Sequence, residues 1–420
     1  MRVTRPQIDA LASAIAEAQA ADRPADMVLH RFFRAHPELG GRDRAVVAEG
    51  LFAWLRRRRS LESAAGTRNA RLLALAVLVR DQNHSVRELE GLVSEKDVAW
   101  LREFKGRSPD ADPAVQHDVP DWLWEKLAAA GDEERSAMTR AWLQPAPLDL
   151  RINPVSADRD AIVAELAAAG IAAQPTPHSP LGLRVNGRPA INRLPAFTRG
   201  DIEVQDEGSQ LLGLLTHPKR NSMVVDFCAG SGGKTLLLGA LMRNTGRVYA
   251  FDTSEKWLAN LKPRLARSGL SNIHPQLIAH ENDARIKRLA GKIDTVLIDA
   301  PCSGLGTLRR NPDLKWRQTP ESITDLAAKQ RSILASASRL PKPGGRIVYA
   351  TCSVLPEENE TVVNDFLGQH PEYRLVPASE TAQKLGWDID AGDFLHLSPH
   401  RQGCDAFFAA VLERRTEVPV

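Results

Sequence analysis

The stretch from Met223 to Thr235 constrains the fold more than any other part of the chain. An apolar run, Met223-Val-Val-Asp-Phe227, passes directly into the glycine loop Cys228-Ala-Gly-Ser-Gly-Gly233, and a helical pattern follows from Lys234 to Met242. A strand that turns on glycines into a helix opens a strand–helix–strand unit. The pattern then repeats. Strands are expected at Arg247–Asp252, Pro275–Ile278, Ile293–Asp299, Arg346–Ala350 and Asp405–Leu412, with helices from Lys256 to Ser268 and from Ile323 to Leu340. Near-continuous apolar strands separated by helices predict a parallel sheet covered on both faces, an α/β Rossmann-like domain over residues 205–420.

A chain of 420 residues is too long for a single core. Residues 1–135 read as all helix: Ile8, Leu11 and Ile15 recur at helical spacing, as do Val47, Leu51 and Trp54. Ser108 to Pro113 reads as a connector, and a short helix entered through Pro120 follows. Residues 140–204 read as a small α/β module, with a strand at Leu148–Ile152 and a helix over Asp160–Ala169 closed by Gly170. The longest apolar run, Leu72 to Val79, is too short to cross a bilayer, and no apolar core follows Arg2 and Arg5 as a secretory signal requires. Four cysteines make no disulfide framework at this length. These features predict a cytoplasmic protein with free thiols and no membrane partner; a monomer is expected.

In a sheet of this kind ligands bind beyond the carboxyl ends of the strands. The loop residues Cys228, Ala229, Gly230, Ser231, Gly232, Gly233 and Lys234 occupy one such end. A P-loop needs glycine where Cys228 stands, and the dinucleotide fingerprint needs glycine or alanine where Thr235 stands, so both nucleotide motifs fail. Asp252 ends the next strand and suits the two ribose hydroxyls, and Asp283 follows the third strand and suits an adenine amino group. A nucleoside cofactor without phosphates fits, and S-adenosylmethionine is the candidate. A lone acid at such a place is more often a helix cap; three at successive strand ends argue for a site.

The fourth strand ends in Asp299-Ala-Pro-Cys-Ser303 and the fifth in Ala350-Thr-Cys-Ser353, which places Cys302 and Cys352 on one side of the cleft. A single cysteine is ordinarily a small buried hydrophobe, the reading for Cys228 and Cys404. Paired thiols in loops after strand ends suit the methylation of carbon 5 of a cytosine. A thiolate added to carbon 6 makes carbon 5 nucleophilic, Asp299 near N3 stabilises the adduct, and a second thiol assists release. Zinc is the competing explanation for paired cysteines, but no CxxC or matching histidine spacing is present, and no metal is expected.

The motifs Asp226–Thr235, Asp252, Asp283, Asp299–Gly304, Arg309-Arg-Asn-Pro-Asp313 with Lys315-Trp316, and Thr351–Ser353 resemble the bacterial RsmB (Sun/Fmu) branch of the RNA 5-methylcytosine methyltransferases. The resemblance spans nearly the whole chain. It implies a class I S-adenosylmethionine-dependent methyltransferase domain preceded by an all-α NusB-like RNA-binding domain and a small α/β module. It implies Cys352 as nucleophile, Cys302 as the residue that aids release, and Lys234 as part of the catalytic pocket. RNA contacts are expected from Arg309, Arg310 and Lys315, and from Arg56 and Arg57 in the run Arg56–Arg59. Small-subunit (16S) ribosomal RNA is the favoured substrate and transfer RNA the alternative; an RNA-binding or ribosome assembly factor without turnover is the reading from another class. One departure stands out: the family's Ala-Pro-Gly-Gly is here Gly230-Ser-Gly-Gly233, which predicts a looser turn that keeps its backbone donors.

Overall fold

The structure, a computed structural model, describes residues 3–21 and 23–417, so Arg2 lies outside the described residues. The chain forms two compact units: residues 1–145 with 308–319, and residues 146–307 with 320–420. Among the described residues, no helix is long and apolar enough to cross a membrane, and no group of three or more His, Cys, Asp or Glu side chains could hold a metal ion.

The first unit is helical, as its spacing predicts. Helices Arg5–Ala20, Gly41–Arg56 and Ala70–Arg80 pack around Leu11, Ile15, Leu51, Trp54 and Leu73, all fully buried. Asn69 caps the third of these by accepting from the Leu72 N–H at 3.1 Å. The segment Leu308–Thr319, which the sequence places within residues 205–420, packs as part of this unit. The physical reason lies at the end of helix Gly41–Arg56, whose last carbonyls lack intrahelical donors. Trp316 Nε1 donates to the Leu55 carbonyl at 2.7 Å and Lys315 Nζ to the Arg56 carbonyl at 2.8 Å.

That docking corrects the expected role of Lys315. Its side chain is buried, and burial, opposed by Asp118, lowers the ammonium to a pKa of about 7. A lysine in that state is a poor phosphate contact. The arginine run is likewise engaged internally. Arg57 pairs with Asp81 at 2.8 Å, Arg58 with Glu62 at 3.0 Å and Arg59 with Asp121 at 2.6 Å. Arg56 donates to the Arg309 carbonyl, and Arg309 to that of Pro145, both at 3.1 Å. Arg310 is half-buried.

In the second unit, β1 (Leu148–Ile152), β2 (Ala173–Pro175), β3 (Gly182–Val185) and β4 (Ile202–Val204) form an antiparallel sheet in the order β2-β3-β1-β4. Leu150, Ile152, Leu183 and Ile202 pack with Ile162 and Leu166 of helix Arg159–Ala168. The large sheet contains β5 (Met223–Asp226), β6 (Arg247–Asp252), β7 (Ile273–Leu277), β8 (Ile293–Asp299), β9 (Pro341–Thr351), β10 (Tyr373–Val376), β11 (Leu395–Leu397) and β12 (Phe407–Arg414). Its order is β10-β12-β9-β8-β5-β6-β7, with β11 beside β12. Side chains alternate between two cores: Val224, Leu297 and Val348 on one face, Val225, Val296, Ile298 and Ile347 on the other. Strands buried on both faces read as continuous apolar runs for this reason.

The parallel expectation holds from β5 to β9. It fails at the edge, where β12 runs antiparallel to β9, β10 and β11. An apolar run such as Phe407–Leu412 is buried equally well in either direction, so its composition carries no information on polarity.

Candidate active site

Strand order reverses around β5, which lies between β6 and β8, and the cleft opens beyond the carboxyl ends of these strands. Three acids end the strands there: Asp226 on β5, Asp252 on β6 and Asp299 on β8. Helix Gly233–Leu241 follows the glycine loop, so its N-terminal N–H groups face the cleft's floor. Gly232 is left-handed, with φ 83°, and a Cβ there would lie 2.1 Å from Leu261 Cδ1. No other residue type satisfies both conditions.

The loop is held from below. Arg264 Nη1 donates to both the carbonyl and the hydroxyl of Ser231, at 2.8 and 3.1 Å, while Glu203 pairs with its Nη2 at 3.0 Å. Buried Arg151 of β1 donates to the Gly233 carbonyl at 2.6 Å. Ser231 thus offers Arg264 a side-chain acceptor as well as a carbonyl, and an arginine clamp supports the turn. Arg264 and Arg151 carry no motif in the sequence; only the packing of the small module against the loop makes them legible.

Two adjoining cavities share Cys228, Gly230, Trp257 and Asp299. One is also lined by Phe227, Asp252, Ser254, Glu281 and Ile333, the other by Ala229, Ser231, Gly233, Lys234 and Asp226. Asp252 accepts from the N–H groups of Gly230 and Ser254, each at 2.7 Å, and faces the first cavity. Asp283 is placed otherwise. Its carboxylate caps helix Ala284–Lys287, accepting from the N–H groups of Arg285 at 2.8 Å and Ala279 at 3.0 Å, and it lines neither cavity. The adenine role expected of it has no support in this geometry. The acid that faces the first cavity from this loop is Glu281, whose hydrogen bonds from Lys329 and Ser332 lower its pKa to about 2.

The thiols meet as the strand ends predict. Asp299 of β8 lies in register with Ala350 of β9, and the chains beyond them bring Cys302 Sγ to 3.2 Å from Cys352 Sγ. The hydrogen bond to Cys352, then burial, pushes the Cys302 thiol well above the ordinary cysteine range. Lys234 Nζ donates to Asp299 Oδ2 at 2.6 Å. Burial opposes the charge on Lys234, but Asp299, with smaller contributions from Cys352 and Asp226, outweighs it and raises the ammonium's pKa. Burial also raises the thiols of Cys228 and Cys404, which suits them as small apolar groups rather than nucleophiles.

Asp226 gives a pH-dependent prediction. Burial lifts its carboxyl to about 7, although Thr235 Oγ1 donates to Oδ2 at 2.6 Å. A folded-state pKa above the unfolded value means the unfolded chain ionises first, so this residue's contribution to stability falls as pH rises from about 4 to about 7. The penalty reaches roughly 4 kcal/mol at most above that window. Asp226→Asn, which keeps an acceptor for Thr235, is expected to flatten the dependence of Tm on pH between 5 and 7. Parallel melting curves for the two proteins would dispose of this idea.

Comparison with known proteins matches this chain to one family. The model described as 16S rRNA methyltransferase RsmB/F matches residues 213–413, and the RsmF/B-like ferredoxin-like domain matches residues 119–192. A probable ribosomal RNA small subunit methyltransferase B of Synechocystis sp. is 36% identical over 304 residues, 71% of this chain and 67% of that protein. The ribosomal RNA small subunit methyltransferase B of Sodalis glossinidius is 34% identical over 322 residues, 76% of this chain and 72% of that protein. The crystal structure of PH0851 superposes with a TM-score of 0.80 at 26% identity, covering 99% of this chain and 100% of that one. The NSun6 structure from Pyrococcus horikoshii with SFG shares the fold, with a TM-score of 0.61 at 20% identity over 71% of this chain and 98% of that one. The chain belongs to the RsmB/F family of 16S rRNA methyltransferases.

Proposed function

We propose that this protein methylates carbon 5 of a cytosine in small-subunit ribosomal RNA, using S-adenosylmethionine and a covalent cysteine–carbon 6 adduct. The observation that carries the reading is the thiol pair at 3.2 Å, set beside the Lys234–Asp299 pair that lines the cofactor cleft. The relatives' names support ribosomal RNA as the substrate.

The residues fit the cofactor. Asp252 suits the ribose hydroxyls, the apolar side chains of Phe227 and Ile333 suit an adenine ring, and the glycine loop suits the methionine part. When bound, S-adenosylmethionine supplies an electrophilic methyl group. The protein's own residues do the rest. A base stacked in RNA cannot be reached at carbon 6, so the cytosine is flipped into the cleft. Cys352 attacks carbon 6. Asp299, held by Lys234, hydrogen-bonds at N3 as charge develops on the ring. Cys302, whose ionisation is opposed by Cys352 until that sulfur is bonded to carbon 6, then gives up its proton and, as thiolate, assists removal of the carbon 5 proton after methylation.

The test is transfer of labelled methyl from the cofactor to 16S ribosomal RNA, with modified cytosines mapped in cells with and without the gene. Binding to ribosomal and transfer RNA without transfer to either would leave a non-catalytic RNA-binding factor. Lys315 adds a narrower check. Because its ammonium is buried, Lys315→Met is expected to leave the salt dependence of RNA binding unchanged. A loss of about 0.7–0.9 in the log–log slope would restore it as a phosphate contact.

A further inference from the structure

We infer that Glu358 is a positioning residue that holds the Cys302 and Cys352 loops at their working separation. This rests on the reading that both thiols serve one cytosine. Glu358 is fully buried, and its two oxygens take donors from both loops. Oε1 accepts from the Ser303 N–H at 2.8 Å and from Gln330 Nε2 at 3.0 Å. Oε2 accepts from Ser303 Oγ at 2.5 Å and from Ser353 Oγ. Ser303 directly follows Cys302, and Ser353 directly follows Cys352. Four donors converge on one carboxyl group, whose two oxygens have lone pairs enough to accept them all.

The surrounding bonds make the carboxylate a strut rather than a stray buried acid. Gln330 Nε2 also reaches the Pro301 carbonyl at 3.0 Å, so both residues flanking Cys302 are held through this one amide and carboxylate. The Glu358 carbonyl accepts from Tyr349 Oη at 2.6 Å, which fixes its backbone to β9. Next along the chain, Asn359 Nδ2 donates to the Ser353 carbonyl at 3.1 Å. The Gly306 N–H donates to the Cys352 carbonyl at 2.8 Å, and a Cβ on Gly306 would come within 2.2 Å of the Ala406 carbonyl, so only glycine permits that approach. Two loops from separate strands are therefore joined by one side chain whose hydrogen bonds go to the residues after the cysteines. Its charge also helps keep the Cys302 thiol protonated, after the larger effects of Cys352 and burial.

Diamide oxidation of the full-length chain measures the separation directly. Each thiol gives up one proton and one electron, a Cys302–Cys352 disulfide forms, and the diazene is reduced to its hydrazine. Glu358→Ala is expected to slow this cross-link roughly tenfold and to lower kcat about 10²-fold with KM for the cofactor unchanged, the scale of an ångström of misplacement. Glu358→Gln keeps acceptor and amide in the same outline, while the serine hydroxyls can reverse, and is expected to restore both rates to near wild type. Ser353→Ala, which leaves Glu358 in place, should slow the cross-link as well and covers the case in which Glu358→Ala does not fold. A folded Glu358→Ala or Ser353→Ala chain with the wild-type cross-linking rate overturns the inference. So does a Glu358→Gln chain that cross-links normally yet is as inactive as Glu358→Ala, because charge and not position would then be responsible. Slowed cross-linking in variants of a wild type that transfers no methyl group would uphold the strut and reject the methyltransferase chemistry.

Discussion

Cys302→Ala is expected to convert the protein into one that stays bonded to its RNA, giving a protein–RNA adduct that survives denaturation. Cys352→Ala is expected to lose methyl transfer on the order of 10⁴-fold or more and to form no adduct, the usual scale for removing a nucleophile. The sulfurs lie 3.2 Å apart, where either thiol can donate to the other, and it is the family resemblance that assigns attack to Cys352 and release to Cys302. Attack on carbon 6 then changes the second thiol. Once the Cys352 sulfur is bonded to carbon, its hydrogen bond, the largest cause of the raised Cys302 pKa, falls away, while the effect of burial remains. The Cys302 thiol becomes easier to ionise at the step that needs a base. Denaturing gels with labelled RNA decide the matter: an adduct in Cys352→Ala and none in Cys302→Ala would reverse the two roles.

Removing the carboxylate beside them should have the next largest effect. Asp299→Ala is expected to lower the single-turnover rate by about 10²–10⁴-fold, the range for a positioned acid or base. Asp299→Asn retains a hydrogen-bonding group but cannot exchange a proton, so the gap between the two variants measures proton transfer against hydrogen bonding. Lys234→Met acts on the same pair from the other side. Lys234 is nearly buried and Asp299 about one-third exposed, with side-chain exposures of 10% and 32%, so water offsets part of the loss. The destabilisation is expected near the low end of the roughly 3–5 kcal/mol seen when one partner of a buried pair is removed. Rapid-quench measurement of adduct formation checks the assignment. An Asp299→Ala protein that forms the adduct at the wild-type rate would remove this carboxylate from the attack step.

Much of the site was legible because its parts lie on consecutive strand ends. The glycine loop, Asp252, Asp299 and the two thiols each follow an apolar run, and a parallel sheet brings such positions to one edge. Asp283 shows the limit of that logic. It too follows a strand, but the first N–H groups of a new helix lie closer to it than the cleft does. Glu358 shows the converse. Glu357, Glu358 and Glu360 are indistinguishable as letters, and only the arrangement of Ser303, Ser353 and Gln330 singles one out.

The basic clusters are harder to read for a related reason. The run Arg56–Arg59 and the pair Lys315-Trp316 look like an RNA-facing surface, yet Lys315 and Trp316 serve helix-end carbonyls and three of the arginines pair with acids. Whether a cation meets a phosphate or an internal acceptor depends on partners more than two hundred residues away, as for Lys315 and Arg56. By itself, then, the sequence determined the strands that carry the site, where those strands end and that two cysteines share one edge, because periodicity and strand-end position are local properties. The tertiary structure alone decided the direction of β12, the docking of residues 308–319, the clamp on Ser231 and the joining of the cysteine loops through Glu358. Each of these depends on distant groups satisfying one another's buried hydrogen bonds, and no local pattern records such a match.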